Sequence, residues 1–139
     1  MKQLSLILFL SICFLPLVSC QSANEEMTLL DNVSSVSISE SDGYGGLNEH
    51  YFTTIEQGEL TSEFEEVIKH ANSQTQAVSN QPDYDILVRY ENGETHGLHL
   101  ILGNEGQEST LMYIGHESEG YIVSSESTEV LRKMLDEFK

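Results

Sequence analysis

The sequence predicts an α+β domain in which two helices pack on one face of an antiparallel sheet. Short runs of alternating apolar residues recur after residue 33, and turn signals separate them. Two other segments repeat apolar residues at helical spacing. The elements follow one another in the order ββαββββα, so helices and strands do not alternate regularly as they would around a parallel sheet.

A hairpin is the first predicted element. Val36 and Ile38 alternate with serines, and the segment 47–55 is rich in aromatic and β-branched residues. Between them, residues 41–46 (SDGYGG) carry a strong turn signal. The Gly-x-Gly-Gly run in this turn is too short for a dinucleotide-binding fingerprint, and no helix follows it at once. We therefore interpret it as a hairpin loop.

Each predicted helix is recognised by one apolar face. The first face comprises Leu60, Phe64, Val67, Ile68 and Ala71. The face of the closing helix comprises Val130, Leu131, Met134, Leu135 and Phe138. The polar stretch 72–83, which follows the first helix, is expected to be a loop.

Four strands are predicted between the helices, as an antiparallel meander over 84–90, 96–102, 109–114 and 121–123. The alternation also predicts the register of the first pair. A three-residue loop ending at a left-handed Gly93 aligns Ile86 with Leu98, whereas a two-residue loop puts Ile86 on the same face as His99. Because a one-residue slip would move a whole apolar face, the longer, bulged turn is favoured.

The N-terminal segment has the organisation of a signal peptide. It begins with Lys2 and continues through an apolar run of about 15 residues, short of the roughly 18 needed to span a bilayer. The run closes on Leu17-Val18-Ser19-Cys20, which is a lipobox, and here the chain resembles bacterial lipoproteins. The resemblance implies that residues 1–19 are a signal peptide and that Cys20 becomes a lipid-bearing first residue.

This resemblance implies a mature protein attached to the cell membrane on its extracytoplasmic face through lipid on Cys20. We expect residues 20–32 to comprise the lipidated cysteine and a flexible tether, and residues 33–139 to form a single domain. Cys13 leaves with the signal peptide, so no thiol remains for a disulfide, a zinc cluster or a nucleophile.

A second resemblance covers residues 84–135. The segments YDILVRYENGETHGLHLILG, TLMYIG and STEVLRKML resemble the C-terminal half of small Bacillus-type lipoproteins of the YhfM-like group. This resemblance supports the lipid anchor and the α+β fold, and it implies no activity.

The chain is strongly acidic, with 23 Asp and Glu residues against 6 Lys and Arg residues and a formal net charge of −17. Such a surface repels nucleic-acid backbones and anionic headgroups, so no nucleic-acid partner is expected. Solubility at a cell surface explains the charge, and a basic or cation-rich partner is the alternative.

No catalytic, cofactor-binding or metal-ligating residue is predicted, and no cofactor is expected. His96 and His99 are three apart in a strand, so their side chains point to opposite faces and cannot readily share one ion. The acidic loops 41–46 and 103–108 lack the ligand spacing of a calcium loop. The chain also has no Gly-x-Ser-x-Gly or Ser-x-x-Lys nucleophile motif.

These observations lead to two hypotheses of function. The first is a non-enzymatic module that contacts an envelope protein through the sheet face left uncovered by the helices. The alternative is a binder of a cation or small cationic ligand through clustered carboxylates. The oligomeric state remains open.

Overall fold

The structure is a computed structural model and describes residues 26–74 and 78–139. In this part of the chain, seven strands form one antiparallel sheet in the order β2-β1-β4-β5-β6-β7-β3. The elements are β1 (Val33–Glu40), β2 (Thr53–Glu56), α1 (Glu59–His70), β3 (Asn72–Gln74), β4 (Tyr84–Tyr90), β5 (Thr95–Ile101), β6 (Ser109–Tyr113), β7 (Gly120–Val123) and α2 (Ser125–Phe138). The predicted α+β class is confirmed.

Both helices cover the same face of the sheet. The buried positions Phe64 and Val67 of α1 and Leu131 of α2 belong to one apolar core with Ile38 and Leu98 of the sheet. Removal of these side chains from water supplies the main driving force for folding. We call the face of the sheet that the helices cover the helix-bearing face, and the opposite face the helix-free face.

The helix α2 begins where the sequence supplies a cap. Ser124 precedes the helix, and its hydroxyl accepts a hydrogen bond of 3.2 Å from the backbone N–H of Ser127. This bond satisfies one of the free N–H groups of the first turn.

The register predicted for β4 and β5 is confirmed. Ile86 lies opposite Leu98, and Tyr84 lies opposite Leu100. Gly93, in the connecting turn, has a φ of +88°, a conformation that side-chain-bearing residues rarely adopt. The turn and the apolar alternation therefore select the same pairing.

The predicted loop 72–83 begins with a strand that the sequence analysis missed. Residues Asn72–Gln74 form β3, which pairs with β7 at the edge of the sheet. Three polar residues carry no apolar alternation, so only the contact with β7, distant in sequence, makes this segment a strand.

The first hairpin is wider than predicted. β2 begins only at Thr53, and the connection between β1 and β2 is therefore much longer than the predicted turn. Tyr44 and Asn48 of this connection contact side chains of the helix-free face. We call residues 41–51 the covering segment.

The predicted flexible tether, 20–32, is wrong over the part that the structure describes. Met27 is 5% exposed and belongs to the apolar core, and Glu26 forms a β-bridge with Asn72. The backbone N–H of Glu91 donates to the carbonyl of Asn32 at 2.9 Å. The domain thus includes residues 26–32, because Met27 fills a position in the core.

The predicted signal peptide, 1–19, and Cys20 lie outside the described residues. Among the helices of the described ranges, none is long and apolar enough to cross a membrane.

If residues 26–32 belong to the domain, truncating Met27 will destabilise it. We expect Met27→Ala to lower the free energy of unfolding by about 2–5 kcal/mol, because a buried side chain is removed and a cavity is left. Thr28→Ala, whose side chain is exposed, is the matched control and should change it by less than about 0.5 kcal/mol. Urea denaturation measures both, and equal stabilities would contradict the placement of Met27 in the core.

Candidate functional site

The helix-free face carries a buried carboxylate–imidazole pair at its centre. Asp85 of β4 and His99 of β5 lie directly opposite each other, and both side chains are fully buried. Asp85 Oδ1 and His99 Nδ1 are 2.7 Å apart. With the carboxylate as the acceptor, the proton of this hydrogen bond lies on Nδ1, and the ring is held in one orientation.

The covering segment supplies the second partner of the carboxylate. The backbone N–H of Asn48 donates to Asp85 Oδ2 at 2.8 Å. The hydroxyl of Ser39, on the neighbouring strand, donates to the carbonyl of Asn48 and fixes this part of the segment on the sheet. Both carboxylate oxygens of Asp85 are thus hydrogen-bonded, as a buried charge requires.

Tyr44 lies over the imidazole of His99. The two rings meet edge to face, with their centroids 5.6 Å apart, and the tyrosine hydroxyl donates to the carbonyl of Asn80. Burial, and secondarily the charge of Glu117, raises the pKa of the Tyr44 hydroxyl. Gly43 and Gly45, with φ values of +105° and +139°, give the chain the turns that bring Tyr44 down onto the sheet.

Glu117, in the turn between β6 and β7, faces the other nitrogen of the imidazole. Its Oε1 atom lies 3.6 Å from His99 Nε2. The backbone N–H of Gly115 donates to this carboxylate and is the main reason that the pKa of Glu117 is lowered. Smaller effects come from its own backbone N–H and from the charges of His99 and His116. Glu117 is therefore an anion next to Nε2 at neutral pH.

The Nε2 atom of His99 is buried and has no hydrogen-bond partner within the described residues. The hydroxyl of Tyr51, in the covering segment, is a second buried polar atom of this kind. Burial is also the main cause of the raised pKa of Tyr51, and the charge of Glu49 adds to it. Unpaired buried polar atoms are uncommon, and they mark places where water or an ion binds.

The pair lacks the geometry of nucleophilic catalysis. In a catalytic dyad, the imidazole nitrogen distal to the carboxylate contacts a hydroxyl or thiol. Over residues 26–74 and 78–139, no such group lies within hydrogen-bond distance of His99 Nε2. Nε2 instead faces the carboxylate of Glu117.

Neither Asp85 nor His99 lines either of two cavities, each of about 440 Å³, in the described part of the chain. The first is lined by Glu40, Asn48, His50, Phe52, Phe138 and Lys139. The second lies beside the start of β5 and the end of β6. It is lined by Thr28, Leu30, Thr95, His96, Gly97, Tyr113, Ile114 and His116. Each combines apolar side chains with one or two histidines.

The structure places His96 and His99 on opposite faces of the sheet, as their spacing in the strand predicted. His96 lies opposite Val88 on the helix-bearing face, and His99 lies opposite Asp85 on the helix-free face. Nowhere in the described ranges do three or more His, Cys, Asp or Glu side chains group in a way that could hold a metal ion. Cys20, the predicted lipidation site, lies outside the described residues.

Sequence reasoning missed the pair of Asp85 and His99, although it contained the signal. The predicted alignment of Ile86 with Leu98 also sets Asp85 opposite His99, because both pairs belong to one register. The sequence pattern did not reveal that the covering segment folds over this pair and buries it.

The fold is similar to that of a thioesterase-like protein from Clostridium sporogenes, known from a crystal structure at 1.70 Å resolution. The superposition has a TM-score of 0.59 at 16% sequence identity and covers 78% of this chain and 96% of that chain. At this identity the likeness shows the fold alone. No protein-family model and no curated protein matches the chain.

Removing the imidazole will show how strongly the domain depends on the buried pair. We expect His99→Leu to lower the free energy of unfolding by about 3–5 kcal/mol, because the Asp85 carboxylate then stays buried without its side-chain hydrogen-bond partner. His70→Leu, at an exposed histidine, should change it by less than about 0.5 kcal/mol. Chemical denaturation compares the two, and equal values would show that the pair does not stabilise the fold.

Proposed function

We propose that this chain is an extracytoplasmic lipoprotein, held on the cell membrane through lipid on Cys20, whose domain is a non-enzymatic interaction module. The main support for an interaction module is an exposed aromatic patch beside the first cavity. Phe52 and Phe138 are each 38% exposed, and both line this cavity. Large apolar side chains that are exposed side by side are typical of surfaces that bind another protein.

Aromatic and charged side chains surround the patch. Tyr84 packs edge to face against Phe52, with ring centroids 6.3 Å apart, and the ammonium group of Lys139 lies 4.7 Å from the centroid of the Tyr84 ring. Glu40 and His50 line the same cavity. Apolar anchors surrounded by polar groups have the organisation of a protein-binding site.

The position of the patch suits a chain that is anchored through its N-terminal segment. Glu26 enters the described fold beside β3, at one edge of the sheet, and it lies six positions after Cys20, a span of at most about 22 Å. Phe52 precedes β2, at the opposite edge. Six strand spacings, about 29 Å, separate β2 from β3. An anchor at Cys20 would therefore leave the patch on the side that faces away from its attachment.

The charge of the chain favours a basic partner. With 23 acidic and 6 basic residues, the surface attracts a positively charged protein and repels an acidic one. We therefore propose an envelope protein that offers a basic segment with an apolar side chain for the cavity. The sheet face that was first predicted as the contact surface is less suitable, because the covering segment occupies its centre.

The likeness to a thioesterase-like protein is the argument for an enzyme. We propose a non-enzymatic role because His99, the buried imidazole with a carboxylate partner, faces Glu117 rather than a nucleophile in the described part of the chain. The lack of an enzymatic activity stays a prediction.

Substitution of Cys20 tests the proposed lipid anchor. We expect Cys20→Ser to release the protein from the membrane fraction or to leave it with an uncleaved signal peptide, because the acyl chains that hold it are no longer attached. Fractionation with immunoblotting measures this, and a circular dichroism spectrum verifies the fold. Quantitative membrane retention of the processed variant would contradict the anchor.

The proposed contact surface is tested by position-specific photo-crosslinking in cells. A photo-reactive phenylalanine analogue at residue 52 should yield one discrete adduct, and the same group at exposed Glu119, in the turn between β6 and β7, serves as the matched control. Phe138→Ser should lower the adduct yield at residue 52 several-fold, because it removes the second aromatic side chain of the patch.

Mass spectrometry of the adduct decides between the possible partners. A basic envelope protein supports the proposal. An adduct with a second copy of this chain, equal yields at residues 52 and 119, or no adduct at residue 52 would each overturn it.

A further inference from the structure

The imidazole of His99 lies between two carboxylates from different parts of the fold. Asp85, on the neighbouring strand β4, contacts Nδ1 at 2.7 Å, and Glu117, in the turn between β6 and β7, lies 3.6 Å from Nε2. His99 and Asp85 are fully buried, whereas the side chain of Glu117 is 28% exposed. One ring nitrogen therefore faces a buried carboxylate, and the other faces a carboxylate that reaches solvent.

The contact between His99 Nε2 and Glu117 depends on the charge of the ring. In the neutral ring with its proton on Nδ1, Nε2 is an acceptor, so two acceptors face each other, and Nε2 has no hydrogen-bond partner in the described ranges. In the protonated ring both nitrogens carry a proton, and 3.6 Å is then the distance of an ion pair. The same two groups thus attract each other with the proton bound and repel each other without it.

The other elements packed against the ring add no charge at neutral pH. Tyr44 of the covering segment meets the ring edge to face, and burial, with a smaller effect of Glu117, raises the pKa of its hydroxyl. On the second neighbouring strand, β6, the residue opposite His99 is Met112. Glu117 itself stays an anion, because the hydrogen bond from the turn backbone lowers its pKa.

The turn between β6 and β7 is held together by local hydrogen bonds. The N–H groups of His116 and Glu119 donate to the carbonyls of Tyr113 and His116, at 3.0 and 3.1 Å. The N–H of Gly115 donates to the Glu117 carboxylate at 2.8 Å. These bonds shape the turn but do not attach it to β5, whereas the carboxylate of Glu117 extends to the ring on that strand.

We propose that His99 is a pH-sensitive switch, which holds the turn between β6 and β7 against β5 while its ring is protonated and releases it when the proton leaves. Imidazole is the side chain whose ordinary titration falls between about pH 5 and pH 8. The proton enters from solvent on the side of Glu117 and binds Nε2, while Asp85 keeps the proton on Nδ1 in both states. The switch is independent of the proposed lipid anchor and of the aromatic patch.

The test is an NMR titration of the full chain in detergent, labelled with nitrogen-15, from about pH 5 to about pH 8. We expect the Nε2 signal of His99 to move from its protonated to its unprotonated position as the pH rises, with Nδ1 protonated throughout. The backbone N–H signal of Gly115 should move with the same midpoint, because it donates to the carboxylate that loses its charged partner.

Three variants assign the movement to the proposed pair. Glu117→Gln should lower the affinity of the His99 ring for its second proton several-fold and should uncouple the Gly115 signal, because an opposite charge nearby favours the charged ring. Glu119→Gln, at an exposed acidic residue in the same turn, is the matched control and should titrate as the wild type does. His116→Asn removes the other histidine of the turn and should leave both movements in place.

Coincident movements of the two signals that Glu117→Gln abolishes support the switch. A ring that keeps one protonation state over the whole titration overturns it, and so does a Gly115 signal that does not follow His99. The switch is equally wrong if the coupling persists in Glu117→Gln, or if His116→Asn abolishes the movement of the Gly115 signal, since the neighbouring histidine would then be its cause.

Discussion

The structure depends on satisfying a charged side chain that the sheet buries on its helix-free face. An unpaired carboxylate in that position would cost several kcal/mol, so Asp85 requires partners on both oxygens. His99 supplies one partner across the strand pair, and the backbone of Asn48 supplies the other. The second partner lies in the covering segment. This requirement explains why a long connection folds over the sheet where a tight hairpin would suffice to join β1 and β2.

The two faces of the sheet are therefore stabilised by different physics. The helix-bearing face is an apolar core, whose energy comes from removing side chains such as Phe64 and Leu131 from water. The helix-free face buries a polar cluster, in which Ser35, Ser37 and Ser39 of β1 accompany Asp85 and His99, and the hydroxyl of Ser39 donates to the carbonyl of Asn48. The stability of this face depends on hydrogen-bond geometry, as in the contacts of the Asp85 carboxylate with His99 and Asn48. Recognition of a protein partner is proposed for a third place, the aromatic patch at Phe52 and Phe138.

Much of the fold followed from local patterns, and the site followed only in part. Alternation and the turn at Gly93 predicted the β4–β5 register, because a one-residue slip would have exposed a whole apolar face. The strand β3 and the place of Met27 in the core had no local signal, since contacts with residues distant in sequence create both. The same reason applies to the patch: Phe52 and Phe138 are brought together only by the packing of α2 on the sheet.

The two edge strands of the sheet determine whether neighbouring copies of the chain can pair with each other. An exposed strand edge is a template on which another chain can pair, and proteins protect such edges with short strands and charges. β3 has three residues and is partly occupied by Glu26, while β2 has four and ends on the exposed Glu56. A protein concentrated in the two dimensions of a membrane surface would meet its own copies often. If the proposed anchor holds the protein there, these short edges would oppose pairing between the sheets of neighbouring copies.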